Sequence, residues 1–121
     1  MSEANKALIR QYLETFNQDY RAALDKYVAD EELRQHIPHM QAVFPGYQLV
    51  ADDVIAEGDK VVVRATMHGT HQGEGMGIPP TGKHVTVPMI IVYRITDAKI
   101  VEHWIVADQL GLMQQLGAVP A

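Results

Sequence analysis

Between Asn5 and Asn17 the apolar residues Leu8, Ile9, Tyr12, Leu13 and Phe16 recur three and four apart, with Lys6, Arg10, Gln11 and Glu14 between them. That spacing lines one face of an α-helix, for which Ser2 and Asn5 are the available caps. A second, short helix is expected where Ala23, Leu24, Tyr27 and Val28 share a face. A third is expected over roughly 30–43, with Leu33, Ile37, Met40 and Val43 as its apolar positions. Pro38 lies inside that stretch and is expected to kink or restart the helix, because proline has no amide hydrogen and its ring meets the preceding turn. Phe44-Pro45-Gly46 closes the helical half.

Beyond Gly46 the pattern is that of strands. Residues 47–56 read as a strand, Glu57-Gly58-Asp59-Lys60 as a tight turn and 61–71 as a long strand. A loop rich in glycine and proline, 72–82, leads to a strand over 84–95. Thr96-Asp97-Ala98-Lys99 then turns the chain into a last strand, 100–108. Leu110, Leu112, Met113 and Leu116 mark a C-terminal helix that stops at Gly117. Helices followed by a four-strand meander predict one α+β domain over 1–121, its helices packed on one sheet face.

The last hairpin sets an expected register. With Asp97 and Ala98 as a two-residue loop, Thr96 faces Lys99, and regular pairing puts Ile95 with Ile100, Tyr93 with Glu102, Ile91 with Trp104, Met89 with Val106 and Val87 with Asp108. That face is expected to look toward the helices. The opposite face carries Ile90, Val92, Arg94, Val101, His103 and Ile105. It too is largely apolar, and a second copy of the chain is its expected cover, making a homodimer.

Composition narrows the function. The net charge of −5 and the absence of a basic run argue against nucleic acid as a partner. There are no cysteines, which removes disulfides, thiolate catalysis and thiolate metal sites. No signal-peptide pattern and no apolar run near the ~18 residues of a membrane span is visible, so no membrane contact and a cytoplasmic location are expected.

Two stretches carry a family resemblance. Gly69-Thr70-His71-Gln72-Gly73-Glu74-Gly75-Met76-Gly77-Ile78-Pro79-Pro80-Thr81-Gly82-Lys83 resembles the signature loop of the SnoaL-like polyketide (ester) cyclases. Lys99-Ile100-Val101-Glu102-His103-Trp104, Asp108-Gln109-Leu110-Gly111-Leu112 and Gln114-Gln115-Leu116-Gly117 resemble that family's final strand and helix. Glu57-Gly58-Asp59-Lys60-Val61 and Phe44-Pro45 agree as well, so the likeness runs from about Asp30 to Gly117. It implies the nuclear-transport-factor-2-like superfamily (NTF2-like): a cone-shaped, curved antiparallel or mixed sheet with three helices, usually dimeric. It also implies closure of a polyketide ring by intramolecular aldol condensation, without metal or cofactor, with an aspartate as acid-base. The match puts that aspartate at Asp108. The chain departs from the family where Tyr27-Val28-Ala29 runs straight into Asp30, where Gly46 follows Phe44-Pro45, and at position 105, often polar in relatives, which is Ile105.

The residues themselves leave alternatives. A carboxyl group buried among Val87, Met89, Trp104 and Val106 would have the raised pKa an aldol acid-base needs, but Asp108 is equally placed to cap the final helix. Trp104, Met89, Ile91, Tyr93, His71, Tyr12 and Phe16 are the expected substrate contacts. Gly77 to His84 nearly spells a phosphate loop, but His84 stands where a hydroxyl is required, strands follow, and two prolines remove amides. His36 with His39, which have no third ligand beside them, and His68 with His71, three apart on a strand and so on opposite sides, read as surface histidines rather than metal ligands. Two function classes follow: a cyclase or isomerase acting by proton transfer on a small hydrophobic carbonyl substrate, and a non-catalytic protein that binds a hydrophobic ligand.

Overall fold

The computed structural model describes residues 2–75 and 77–119. Three helices come first: α1 (Ser2–Gln18), α2 (Tyr20–Tyr27) and α3 (Glu31–Val43). α1 buries Ile9, Tyr12, Leu13 and Phe16, the stripe its spacing predicts. Ser2 lies within the helix, and Asn5, rather than capping it, donates to the carbonyl of Gly58. Asp19 caps α2 by accepting from the amides of Arg21 and Ala22, and Asp30 caps α3 by accepting from that of Leu33. α3 neither stops nor restarts at Pro38. The proline falls on its exposed side, while Leu33, Ile37 and Val43 hold the other side in the core.

Four strands follow in one antiparallel sheet of order β1-β2-β3-β4: β1 (Gln48–Glu57), β2 (Lys60–Thr70), β3 (His84–Thr96) and β4 (Lys99–Ala107). A short helix, α4 (Gln109–Gln115), ends the chain just before Gly117, which takes the left-handed φ of +79° open to glycine. The architecture is the expected α+β one, with the helices on one face of a curved sheet. One-residue irregularities at Asp52 in β1 and Val101 in β4 bend those strands further.

The irregularity at Val101 overturns part of the expected register. Asp97 and Ala98 do form the two-residue turn, with φ of +50° and +60°, and Thr96↔Lys99 and Ile95↔Ile100 pair as expected. Arg94 then pairs with Glu102, so Val101 is the extra residue of a bulge. From there the rest of β4 is turned over: Tyr93 faces His103, Ile91 faces Ile105 and Met89 faces Ala107. His103 and Ile105 therefore look toward the helices, whereas Glu102, Trp104 and Val106 lie on the outer face. The reason is electrostatic. Regular pairing would press the Glu102 carboxylate against buried Tyr93, a cost the bulge removes by delivering it to Arg94 on the outer face.

The inner face, from Val61 and Val63 on β2 to Val85, Val87, Ile91 and Tyr93 on β3, is buried against α1 to α3. The outer face keeps Ile90, Trp104 and Val106 exposed, Val106 to 74%.

Candidate functional site

Between the inner sheet face and the helices lies a cavity of about 610 Å³, within the usual range for a small-molecule site. Its walls are mostly apolar: Leu33, Ile37 and Met40 from α3, Leu49 and Met67 from β1 and β2, Met89, Ile91 and Ile105 from β3 and β4. Its polar groups fall into two sets. Tyr12, Tyr47 and Tyr93 form one, and Glu32, His36, His103 and Gln109 the other. Among the described residues no lysine or arginine lines it.

His103 stands on the sheet wall, and the fold supplies its partner by a short route. Val28 forms a parallel bridge to Ile100, and the amides of Ala29 and Asp30 both donate to the Ile100 carbonyl, at 2.8 and 3.0 Å. Asp30 is thereby pinned beside the start of β4. One of its oxygens caps α3 through Leu33, and the other lies 2.6 Å from His103 Nδ1, with side-chain exposures of 10% and 7% for the two residues. The short connection between Val28 and α3 thus brings a carboxylate to the histidine. A carboxylate only accepts, so Nδ1 carries the hydrogen, and in the neutral imidazole the lone pair is then on Nε2.

His36, on the facing side of α3, has its pKa lowered by partial burial, then by His103 and His39, with Glu32 opposing. Its side chain stays exposed, so solvent screens part of that effect. Burial raises the phenol pKa values of Tyr12, Tyr47 and Tyr93; for Tyr12 the neighbouring Tyr93 and Tyr47 add to the rise, and for Tyr93 Tyr47 does. Among the described residues no group of three or more histidine, aspartate or glutamate side chains is placed to hold a metal ion.

Of the expected substrate contacts, Tyr12, Met89, Ile91 and Tyr93 line this cavity. Trp104 borders it from β4, but its side chain is on the outer face, 44% exposed, with the Arg94 guanidinium 5.7 Å from the ring centre. Phe16 is buried away from the lining, against Tyr47. His71 is also off the lining and, against the expectation of a surface histidine, wholly buried. Its Nδ1 accepts from the Thr81 amide, and its backbone bonds Lys83 and Gly82, so it anchors the loop that precedes β3. Asp108 is exposed, caps α4 by accepting from the Gly111 amide at 2.8 Å, and borders a shallower groove on the outer face with Asp52 and Arg64. The expectation that it shares the helix-facing side with Met89 and Tyr93 is overturned by the Val101 bulge.

Sequence reasoning missed His103 and Asp30. Asp30 was legible only as the start of the third helix, and its bond to His103 spans 73 positions. For His103 the available signal was Glu102, whose charge was assigned to a buried face when Arg94, on the other, offered it a partner.

The family model for SnoaL-like polyketide cyclases matches residues 2–116. Over 60 residues the chain is 37% identical to DnrD, an aklanonic acid methyl ester cyclase of Streptomyces peucetius; that stretch is 50% of this chain and 41% of the relative. The match therefore spans less than half of that protein's length. Among solved structures, AclR of Streptomyces galilaeus, a proposed hydroxylase, superposes with a TM-score of 0.86 at 29% identity, covering 100% of this chain and 85% of its own. TsrD of Streptomyces laurentii gives 0.81 at 31% identity over 98% and 99% of the two chains. IdmH of Streptomyces antibioticus, a proposed polyketide cyclase, gives 0.79 at 28% identity over 93% and 98%.

Proposed function

Because the chain belongs to the SnoaL-like polyketide cyclase family, we propose that it catalyses cofactor-independent proton transfer on a small, largely apolar carbonyl compound, leading to intramolecular aldol ring closure. The observation that carries this reading is His103 on the wall of a mostly apolar cavity, paired with the Asp30 carboxylate. A base and its orienting carboxylate suit removal of a proton from carbon beside a carbonyl. A relative that cyclises aklanonic acid methyl ester supports a polyketide ester as the substrate class, as does the absence of a lysine or arginine to meet a free carboxylate.

In this reaction His103 Nε2 takes the α-proton and leaves an enolate. The enolate carbon attacks a second carbonyl of the same molecule, forming one C–C bond, and the resulting alkoxide recovers the proton from His103. The product is a hydroxy ketone isomeric with the substrate. Asp30 holds the imidazole in its working tautomer and stabilises the imidazolium while it lasts. Asp108, which the family resemblance suggested as the acid-base, in this reading serves α4. The exposed Ile90, Trp104 and Val106 of the outer face are covered by a second copy of the chain, so the working unit is a homodimer.

Cyclisation of aklanonic acid methyl ester is the test. His103→Gln should lower turnover by about 10²- to 10⁴-fold, while Asp108→Asn stays within about threefold, as expected of a group outside the reaction. Full activity in His103→Gln refutes the assignment, and a large loss in Asp108→Asn alone returns the role to Asp108. Tight binding without turnover by the wild type points to the ligand-binding class instead.

A further inference from the structure

We propose that Tyr93, with Tyr12 and Tyr47 beside it, is the oxygen-binding element of the cavity: a cluster of neutral phenol donors that holds the substrate carbonyl and the enolate formed from it. The inference rests on the proton-transfer reading above and names the groups that position its substrate.

All three side chains are buried, with exposures of 2% for Tyr93, 1% for Tyr12 and 5% for Tyr47, and all three line the cavity. None of their hydroxyl groups has a hydrogen-bond partner among the described residues. Nor are they sealed in: among the described residues the side-chain atoms shut away without a partner are His71 Nε2 and Arg94 Nε, so each phenol oxygen keeps accessible surface, and all three residues line the cavity, Tyr47 bordering a second groove with Phe16 and Tyr20 as well. A tyrosine hydroxyl in an apolar interior ordinarily finds a partner. Three around one cavity without a partner leave their donors available to whatever fills it.

Position adds a second argument. Tyr93 and His103 are direct partners across β3 and β4 on the inner face, which sets their Cβ atoms about 5 Å apart. Tyr12 stands edge-on to Tyr93, with ring centres 5.8 Å apart at 76°. A carbonyl compound whose oxygen meets these phenols therefore presents its α-carbon to the histidine. As the proton leaves for Nε2, charge grows on the oxygen, and a hydrogen bond to that oxygen strengthens with it. The buried phenols hold their protons well above the ordinary tyrosine range, so they stay donors and do not compete with His103 as acids.

Binding of two probes of one shape tests this without turnover: 2-naphthol, and 2-methylnaphthalene, which has a methyl group in place of the oxygen. Wild type should bind 2-naphthol about tenfold tighter than 2-methylnaphthalene, the worth of one well-placed hydrogen bond. Tyr93→Phe, which keeps the ring and its packing, should bring the two probes within about twofold by weakening 2-naphthol alone. Tyr12→Phe and Tyr47→Phe should each remove part of the preference. His103→Gln should retain it, which separates this proposal from the acid-base assignment: loss of turnover with retained preference sinks neither. The proposal is overturned if wild type shows no preference, or no binding of 2-naphthol at ~1 mM. It is equally overturned if Tyr93→Phe weakens both probes alike, or if His103→Gln alone abolishes the preference.

Discussion

Replacing Asp30 by alanine removes two bonds at once, and the structure allows each to be weighed. The first is the cap on α3, accepted from the Leu33 amide at 3.3 Å, worth about 1 kcal/mol. The second is the contact with His103 Nδ1 at 2.6 Å, made where both side chains are at most 10% exposed. Losing it strands a buried N–H group, at a cost of about 1–3 kcal/mol. The sum is about 2–4 kcal/mol against a total of about 5–15 kcal/mol for a domain of this kind. At roughly 4 °C per kcal/mol, Tm should fall by about 8–16 °C. The backbone of Asp30 still donates to Ile100, so the chain path is kept. Asp19→Ala is the matched control, since Asp19 caps α2 at the surface and its side chain makes no other hydrogen bond among the described residues, and it should cost about 1 kcal/mol. Asp30→Asn keeps one acceptor oxygen, enough for one of the two bonds, so it should fall between the two. Urea unfolding followed by circular dichroism reads all three. If Asp30→Ala costs no more than Asp19→Ala, the buried pairing has no energetic content, and its use as a positioned base loses its support.

Three further outcomes follow from particular residues. Ala98 holds φ at +60° in the two-residue turn, a region that costs an alanine ~1–2 kcal/mol and a glycine almost nothing; Ala98→Gly should stabilise by about 1 kcal/mol, and a lower Tm would contradict the turn geometry. The folded pKa of His36 lies below its ordinary value, so the unfolded chain takes up the proton first as pH falls. Stability should therefore drop as pH falls through about 6.5, and the loss is complete once the folded pKa is passed. His36→Asn should flatten urea midpoints measured across that range, and an unchanged profile would count against the His36–His103 neighbourhood. On the outer face Val106→Lys should convert a dimer to monomer in sedimentation while leaving the fold intact, because Val106 is 74% exposed in the single chain. Monomers in both proteins would dismiss the homodimer.

Much of the molecule was legible because it is decided locally. Helical spacing located α1, α2 and α3, and alternation located the four strands. Asp97-Ala98 marked the two-residue turn, and the inward placing of Met89, Ile91 and Tyr93 on β3 followed from period two alone. Pro38 was misjudged because a single proline's penalty was set against the burial of Leu33, Ile37 and Val43, a term that only packing supplies. The faces of β4 were misjudged for a sharper reason. Side chains in a strand have a period of two, so one extra residue at Val101 exchanges every assignment beyond it, sending Trp104 outward and His103 inward. The bulge itself is selected by where Glu102 can find Arg94 and where the Ile100 carbonyl can take the amides of Ala29 and Asp30. The same holds for Asp30 and His103, which are 73 positions apart and meet only after α2 and β4 have come together. Sequence periodicity reports the face a residue shares with its near neighbours. Which face is buried, and what carboxylate awaits it there, depends on contacts between distant segments, and these exist only once the chain has folded.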